Sequence, residues 1–128
     1  MKEQVLYAEQ GKEFHFQASP APRSAVCGLA VLENGNILVL ERAWSGIQNP
    51  LIISLREVLL TTCKSSQKCS VRELAIMSSG EGWFLENFEG LTGYKDNRYF
   101  MVSDNGQSRL QKTVLVFFEI LSDESVDN

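Results

Sequence analysis

Residues 88–120 (FEGLTGYKDNRYFMVSDNGQSRLQKTVLVFFEI) decide the fold that this sequence predicts. Apolar runs alternate there with the polar groups Lys-Asp-Asn and Asp-Asn-Gly, which predicts three consecutive short strands joined by turns. Asn and Gly tolerate the positive φ angles that tight turns require, so both groups favour β-hairpins. Glu89, Asp104 and Asn105 place acidic and amide side chains beside these turns.

A weaker copy of this pattern lies 62 residues earlier in the chain. The matching segments are Gly28-Leu29 with Gly90-Leu91, Asn34-Gly35 with Asp96-Asn97, and residues 37–40 with 99–102. Repeats of such a period are typical of stacked supersecondary units, and the four-stranded blade of a β-propeller is one of them. The alternative is that any two β-hairpins share Gly-Leu and a turn.

The composition is that of one globular domain long enough to bury a core. The chain has 128 residues, 44% hydrophobic and 22% charged, with a net charge of −4. No run of Lys and Arg exceeds two residues, which argues against a nucleic-acid partner. No apolar run approaches the roughly 18 residues that span a bilayer, and the N-terminus lacks the apolar core of a secretory signal. These observations predict no membrane partner and leave the compartment open.

The three cysteines suggest a disulfide rather than a metal centre. Cys63 and Cys69 flank a polar loop between two strand-like runs, so they could close a disulfide in an oxidising compartment or remain two free thiols. Cys27 lies in an apolar run, and we expect it to be a small buried hydrophobe rather than a nucleophile. The spacing is wrong for zinc, because there is no Cys-x-x-Cys pair and His15 is the only histidine.

The rest of the chain also reads as short strands. Residues 50–60 are ambiguous between helix and strand, and the β-rich surroundings favour a strand. Residues 29–32 and 37–40 are nearly all apolar, so both are expected to bury both faces. The most hydrophobic run, residues 113–121, should be an interior or covered strand, since an exposed one would risk aggregation. The other predicted strands are residues 5–8, 14–18, 70–77 (the outer strand of its unit), 91–94 and 98–103.

Three segments in this order resemble the phytase-like esterase family, whose members are annotated for the esterase-like activity of phytase. They are residues 28–42 (GLAVLENGNILVLER), residues 87–91 (NFEGL) and residues 101–105 (MVSDN), followed by a closing VLVFFEI strand. The resemblance covers residues 25–121 and corresponds to the C-terminal part of the usual domain. It implies a β-propeller, an exported protein (periplasmic or secreted) and a hydrolase of phosphate or carboxylic esters.

The predicted fold is therefore all-β, a partial β-propeller of about two to three four-stranded antiparallel blades. We expect one domain over residues 1–121, with repeat units at about 24–77 and 86–121, and an acidic disordered tail at 122–128. Closed propellers typically need 4 to 8 blades. The missing blades predict either a homo-oligomer or completion by another chain, and an incomplete channel leaves open a non-catalytic assembly or binding module.

Candidate site residues follow from the resemblance. In related calcium-dependent propellers, a Glu-Gly and a Ser-Asp-Asn at these places supply metal ligands, which makes Glu89 and Asp104 candidate Ca²⁺ ligands, with Asn105 and Asn87 weaker. Carboxylate and amide oxygens are the ligands that Ca²⁺ prefers. Asp-Asn-Gly is equally good turn chemistry, and Glu89 could simply cap a strand end.

Two further residues, Arg42 and His15, have side chains that could take part in binding or catalysis. Arg42 has a planar guanidinium that suits a phosphate or carboxylate substrate, with a structural ion pair as the more economical interpretation. His15 lies between Phe14 and Phe16 on a strand, so its ring is expected to face solvent. With no Gly-x-Ser-x-Gly elbow and one histidine, serine catalysis has little support.

Overall fold

A computed structural model describes residues 3–7, 13–46, 48–63, 68–82, 87–103 and 113–121. All its regular elements are β-strands apart from two three-residue 3₁₀ turns, Leu60–Thr62 and Ser79–Glu81. The all-β prediction is therefore confirmed for the described part of the chain. The strands are β1 (Glu3–Tyr7), β2 (Glu13–Gln17), β3 (Ser24–Val31), β4 (Ile37–Ala43), β5 (Ile52–Leu59), β6 (Ser70–Ser78), β7 (Phe88–Gly93), β8 (Arg98–Ser103) and β9 (Leu115–Glu119).

The strands form three antiparallel sheets in which neighbours in sequence are neighbours in space. These are the β1-β2 hairpin, a four-stranded sheet β3-β4-β5-β6 (sheet 1) and a three-stranded sheet β7-β8-β9 (sheet 2). The ambiguous segment around residues 50–60 is the strand β5, and β6 is the outer strand of its sheet, as expected. No described sheet closes on itself, so the propeller remains a prediction. No described helix is long and apolar enough to cross a membrane.

The hairpins β3-β4 and β7-β8 repeat in structure as well as in pattern. Adding 62 to both members of a β3-β4 pair gives a β7-β8 pair: Val26↔Glu41 becomes Phe88↔Ser103, Gly28↔Leu40 becomes Gly90↔Val102, and Val31↔Ile37 becomes Gly93↔Tyr99. Each hairpin also has a β-bulge at the same place, which is Cys27 in the first and Glu89 in the second. Because register and bulge coincide, sheets 1 and 2 are two copies of one unit.

The two turns reach this common register by different chemistry. In the first turn, the Gly35 amide donates to the Leu32 carbonyl, and Gly35 has a φ of 88°. This is the three-residue hairpin loop that favours glycine at its last position. The second turn has the same length, since the Tyr94 amide donates to the Arg98 carbonyl as the Leu32 amide donates to that of Asn36. Here Asp96 and Asn97 supply the positive φ, with values of 56° and 59°. In these two described turns, the residues with positive φ thus come from the Asn-Gly and Lys-Asp-Asn groups that predicted turns in the sequence.

Sheet 1 is the middle of three layers. We call its front face the side of Gly28, Ala30, Leu32, Leu38, Leu40 and Leu55, and its back face the side of Leu29, Val31, Ile37, Val39 and Val58. The front face packs on the back face of sheet 2, which carries Leu91, Tyr99, Met101, Val116 and Phe118. The back face packs on the hairpin through Phe16, which is fully buried with Val39 and Val58.

Two expectations about burial were wrong. Among the described strands β9 is an edge strand rather than an interior one, and its Leu115 and Phe117 side chains are 65% and 52% exposed. Residues 29–32 do not bury both faces, because Leu32 on the front is buried whereas Leu29 and Val31 on the back are 45% and 67% exposed. Both errors have one cause. A period-2 apolar pattern says which side chains share a face, but the neighbouring layer decides whether that face is covered.

Cys63 and Cys69 form a disulfide at the turn between β5 and β6. It joins the end of β5 to the start of β6, and Cys69 also donates its backbone amide to the His15 carbonyl of β2 at 2.7 Å. The bridge therefore lies where sheet 1 meets the hairpin, and it restricts the unfolded chain as well as the turn.

Candidate functional site

Three of the predicted site residues meet where the two sheets face each other. Arg42 is near the end of β4 on the front face of sheet 1, Asn87 precedes β7, and Glu89 is the bulge residue of β7. The Arg42 Nη1 donates to Glu89 Oε1 at 3.2 Å and also to Asn87 Oδ1, while Asn87 Nδ2 donates to Glu89 Oε1 at 3.1 Å. We call these three residues the Arg42 cluster.

The bulge positions the carboxylate of the cluster. Leu91 faces the core between the sheets. Without the extra residue, strict alternation along β7 would point Glu89 into that core and Phe88 away from it. The bulge lets Phe88 point into the core while Glu89 stays half exposed beside Arg42, with side-chain exposures of 46% and 31%. The arrangement can hold an anion on the guanidinium or a cation on the carboxylate, and both groups reach solvent.

Cys27, the equivalent bulge residue of the first unit, borders the same region. Its Sγ lies 3.2 Å from the Phe88 carbonyl and 3.5 Å from the Leu40 carbonyl, to which it can donate. Burial raises the pKa of this thiol to about 11, against a smaller opposing effect of Arg42. A thiol with so high a pKa is a poor nucleophile at neutral pH, in line with the structural role expected from the sequence.

Asp104 and Asn105, the other proposed Ca²⁺ ligands, lie outside the described residues. The last described residue before them, Ser103, pairs with Phe88, so β8 ends next to the Arg42 cluster. Among the described residues, no three of His, Cys, Asp and Glu are grouped as a metal site. The Glu89 and Asn87 oxygens suit Ca²⁺ chemically, but Arg42 already contacts both and would have to move aside.

One family matches the chain. It is described as phytase-like, esterase-like activity of phytase, and it covers residues 4–107. The chain belongs to the phytase-like family. The match begins in β1, well before residue 25, where the motifs first showed a resemblance. No curated protein and no solved structure matches the chain.

The sequence did not reveal a buried ion pair in this phytase-like chain. Glu41, fully buried under the hairpin, accepts from Arg56 Nη1 at 2.7 Å and from the Ser19 amide at 2.7 Å. Arg56 also donates to the Gln17 carbonyl at 2.8 Å. These bonds tie the end of β2 to sheet 1, which makes the pair a structural lock between two layers. The available signal was a charge inside each of two apolar runs, LVLER and SLREV.

A second buried carboxylate was also missed. Glu57 on β5 accepts from Asn34 Nδ2 at 2.9 Å, from Asn36 Nδ2 at 2.8 Å and from Arg72 Nη2 at 2.6 Å. Burial acts to raise the pKa of Glu57, but the three hydrogen bonds and the Arg72 charge outweigh it and leave that pKa below its usual value. The carboxylate therefore fixes the β3-β4 turn to β5 and β6.

The predicted site residues do not line the pocket found between the sheets. That pocket has a volume of about 110 Å³ and lies at the turn end of the two hairpins, where its lining includes Val31, Tyr94, Asn97 and Tyr99. The Arg42 cluster lies at the opposite end, since Arg42 pairs with Ala25 near the start of β3. His15 is elsewhere again, on the hairpin, where its ring lies 3.1 Å from Glu13 Oε2.

Proposed function

We propose that this phytase-like chain takes part in the hydrolysis of phosphate or carboxylic esters at the Arg42 cluster. Membership of the family supplies the reaction class, as a proposal. The observation that carries the site is that Arg42 and Glu89, 47 residues apart in sequence and on different sheets, meet at a half-exposed position. A cationic fork and a carboxylate within 3.2 Å of each other can share the work of holding an anionic ester and activating water.

Each residue of the cluster has a proposed role. Arg42 binds an anionic oxygen of the ester and stabilises the charge that develops there. Glu89, released from Arg42 by the substrate, accepts a proton from the attacking water, whose oxygen bonds to phosphorus or carbon. The bond to the alkoxide then breaks, and the protonated Glu89 returns its proton to the alkoxide, which leaves as the alcohol. Asn87 orients Glu89 through its amide. If Ca²⁺ is bound, Glu89, Asn87, Asp104 and Asn105 would hold it, and the ion would polarise the ester.

The disulfide bears on the compartment in which the chain works. Disulfides persist in oxidising compartments and are rare in the cytosol. The Cys63–Cys69 bridge therefore agrees with the periplasmic or secreted location that the family resemblance predicts, and we infer that the chain works outside the cytosol.

The test is hydrolysis of p-nitrophenyl phosphate and p-nitrophenyl acetate, each with added CaCl₂ and with EDTA. Glu89→Gln should lower kcat/KM by roughly 10²-fold or more, since general-base catalysis contributes that much. Arg42→Gln should raise KM for the phosphate ester and also lower kcat, since Arg42 is proposed both to bind the anion and to stabilise the developing charge. The matched control is Glu73→Gln, which changes an exposed carboxylate on β6. It should leave kcat/KM unchanged for both substrates.

The opposing interpretation is a purely structural ion pair. An exposed pair contributes only about 0–1 kcal/mol, so Glu89→Gln would then shift stability slightly and leave any activity unchanged. Equal kcat/KM for the native chain and Glu89→Gln would remove the cluster from the mechanism. Absence of hydrolysis by the native chain under all four conditions would count against the reaction itself.

A further inference from the structure

The front face of sheet 2 is an exposed apolar surface. It carries Tyr94, Phe100, Val102, Leu115 and Phe117, and four of these are 60%, 38%, 65% and 52% exposed in the order Tyr94, Val102, Leu115, Phe117. The Phe100 ring lies 4.7 Å from that of Phe117 and 6.1 Å from that of Tyr94, between ring centroids. A contiguous patch of this kind on a soluble chain marks an interaction surface.

The repeat shows what kind of surface it is. The positions of sheet 1 equivalent to Tyr94, Phe100, Val102 and Leu115 are Leu32, Leu38, Leu40 and Leu55. All four of these leucines are at most 5% exposed, because sheet 2 covers them. The front face is thus covered by a following sheet in sheet 1, whereas no described element covers it in sheet 2.

A glycine marks where the following sheet approaches. An added Cβ on Gly28 would lie 2.8 Å from Leu91 Cβ and 3.2 Å from the Leu91 amide nitrogen, so β7 can pack on β3 only because residue 28 has no side chain. Gly90 is the equivalent residue of sheet 2. An added Cβ there would meet only Val102 of its own sheet within 4 Å. At Gly90 this space is bordered by Val102 of the same strand pair, 2.8 Å from the added Cβ, and no described residue of another sheet approaches it.

The chain also carries the complementary group. Leu29 is equivalent to Leu91, and with Val31 it forms the uncovered part of the back face of sheet 1, at 45% and 67% exposure. The hairpin covers Val39 and Val58 of that face but leaves Leu29 and Val31 of β3 exposed. One chain therefore has an exposed leucine on its first sheet and, on its last, a glycine that no described residue of another sheet approaches.

We propose that a second copy of this chain docks head to tail, with Leu29 and Val31 of one copy packed on Gly90, Phe117 and the rest of the sheet 2 front face of the other. This contact would reproduce between copies the part of the sheet 1–sheet 2 contact in which β7 packs on β3. The hairpin already covers Val39 and Val58, so it would lie beside the edge strand β9 of the other copy. Heterologous contacts close into rings when the rotation allows it. With two sheets per copy, rings of two, three or four copies give the 4 to 8 blades of closed propellers.

The test is molar mass by light scattering, together with mixing of two variants. The native chain should have two, three or four times the 14.4 kDa of one copy. Phe117→Lys removes one half of the contact and Leu29→Lys the other, and each variant alone should be a monomer. An equimolar mixture should recover a dimer of one copy of each, because one intact contact remains between them. Ile76→Lys, three strands from β3 and equally exposed, is the matched control and should assemble like the native chain.

Three results would overturn the proposal. A native chain of 14.4 kDa at micromolar concentration would show that no second copy binds. Assembly of Leu29→Lys would point to a symmetric contact between two sheet 2 faces. Failure of the mixture to form dimers, with both variants folded by circular dichroism, would show that the two surfaces do not meet. None of these readouts depends on ester hydrolysis, so the proposed function and the assembly can fail separately.

Discussion

Sheets 1 and 2 have the same hairpin register and the same bulge, but they differ in what covers them. Leu55 in sheet 1 is 5% exposed, whereas the equivalent Leu115 in sheet 2 is 65% exposed. The pair Glu41 and Arg56 of sheet 1 corresponds to Ser103 and Val116 of sheet 2. One unit thus buries leucines and charged residues together, while the other leaves its apolar front face open.

This difference separates two sources of structure. The register and the bulge follow from the turn residues and alternation within each hairpin, so both units share them. Burial and polar pairing follow from the adjacent layer, and the two units differ there. Transferring a side chain from one unit to the equivalent position of the other therefore tests which part of the stability belongs to the neighbouring layer.

The largest effect is expected at the buried ion pair. Arg56→Val, which places the sheet 2 residue in sheet 1, should lower the free energy of unfolding by about 3–5 kcal/mol because it leaves the Glu41 carboxylate buried without its partner. The double variant Glu41→Ser with Arg56→Val reproduces the sheet 2 pair and should recover a large part of that loss. Urea unfolding of the native chain, both single variants and the double variant gives the coupling directly. Additive single effects would mean that the pair is not a unit.

The next effect compares the stability lost when equivalent leucines of sheet 1 and sheet 2 are truncated. Leu55→Ala should cost about 2–5 kcal/mol, since it opens a cavity between the sheets. Leu115→Ala should cost less than about 0.5 kcal/mol, as surface substitutions do. Both are best measured by urea unfolding in the Leu29→Lys background, which is expected to be monomeric. Equal losses at the two positions would show that the front face of sheet 2 is already covered within one chain.

A smaller effect concerns pH. The pKa of Glu57 is held below its ordinary value of 4.5, so its stabilising contribution is present above that pH and is lost as the pH falls through the folded-state pKa. Glu57→Gln should cost about 1.5–3 kcal/mol at neutral pH, the usual range for hydrogen bonds to a charged group. The stabilities of the native chain and the variant should converge as the pH falls from 4.5 through the folded-state pKa. A constant difference across that range, with Glu73→Gln as the control, would assign the loss to packing instead.

The strands were largely predictable because their signals are local. β8 spans residues 98–103 as expected, and β5 is a strand because the apolar pair Ile52-Ile53 and its β-rich surroundings outweighed the helical spacing. Gly35, Asp96 and Asn97, three of the residues that predicted turns, adopt positive φ. Local dihedral preference and alternation need no knowledge of distant segments, which is why they succeeded.

Long-range features were predictable only in part. Glu89 and Arg42 were both singled out as candidates, but their contact depends on the packing of two sheets, which the pattern does not give. The hydrogen bonds of Glu57 to Asn34 and Asn36 depend on register across β4. Asp104 and Asn105 stay predictions, since the structure does not describe them.

The position of sheet 1 between two other layers has a consequence for the order of folding. Neither the hairpin nor sheet 2 can bury its inward apolar side chains before sheet 1 exists, whereas β3 to β6 are successive strands whose contacts close short loops. We expect the folding transition state to contain the β4-β5 pairing, with high φ-values at Val39 and low ones at Phe16 and Phe118. Substitutions in the outer layers would then mainly speed unfolding, so the sheet 2 surface proposed for assembly belongs to a part of the chain that opens early.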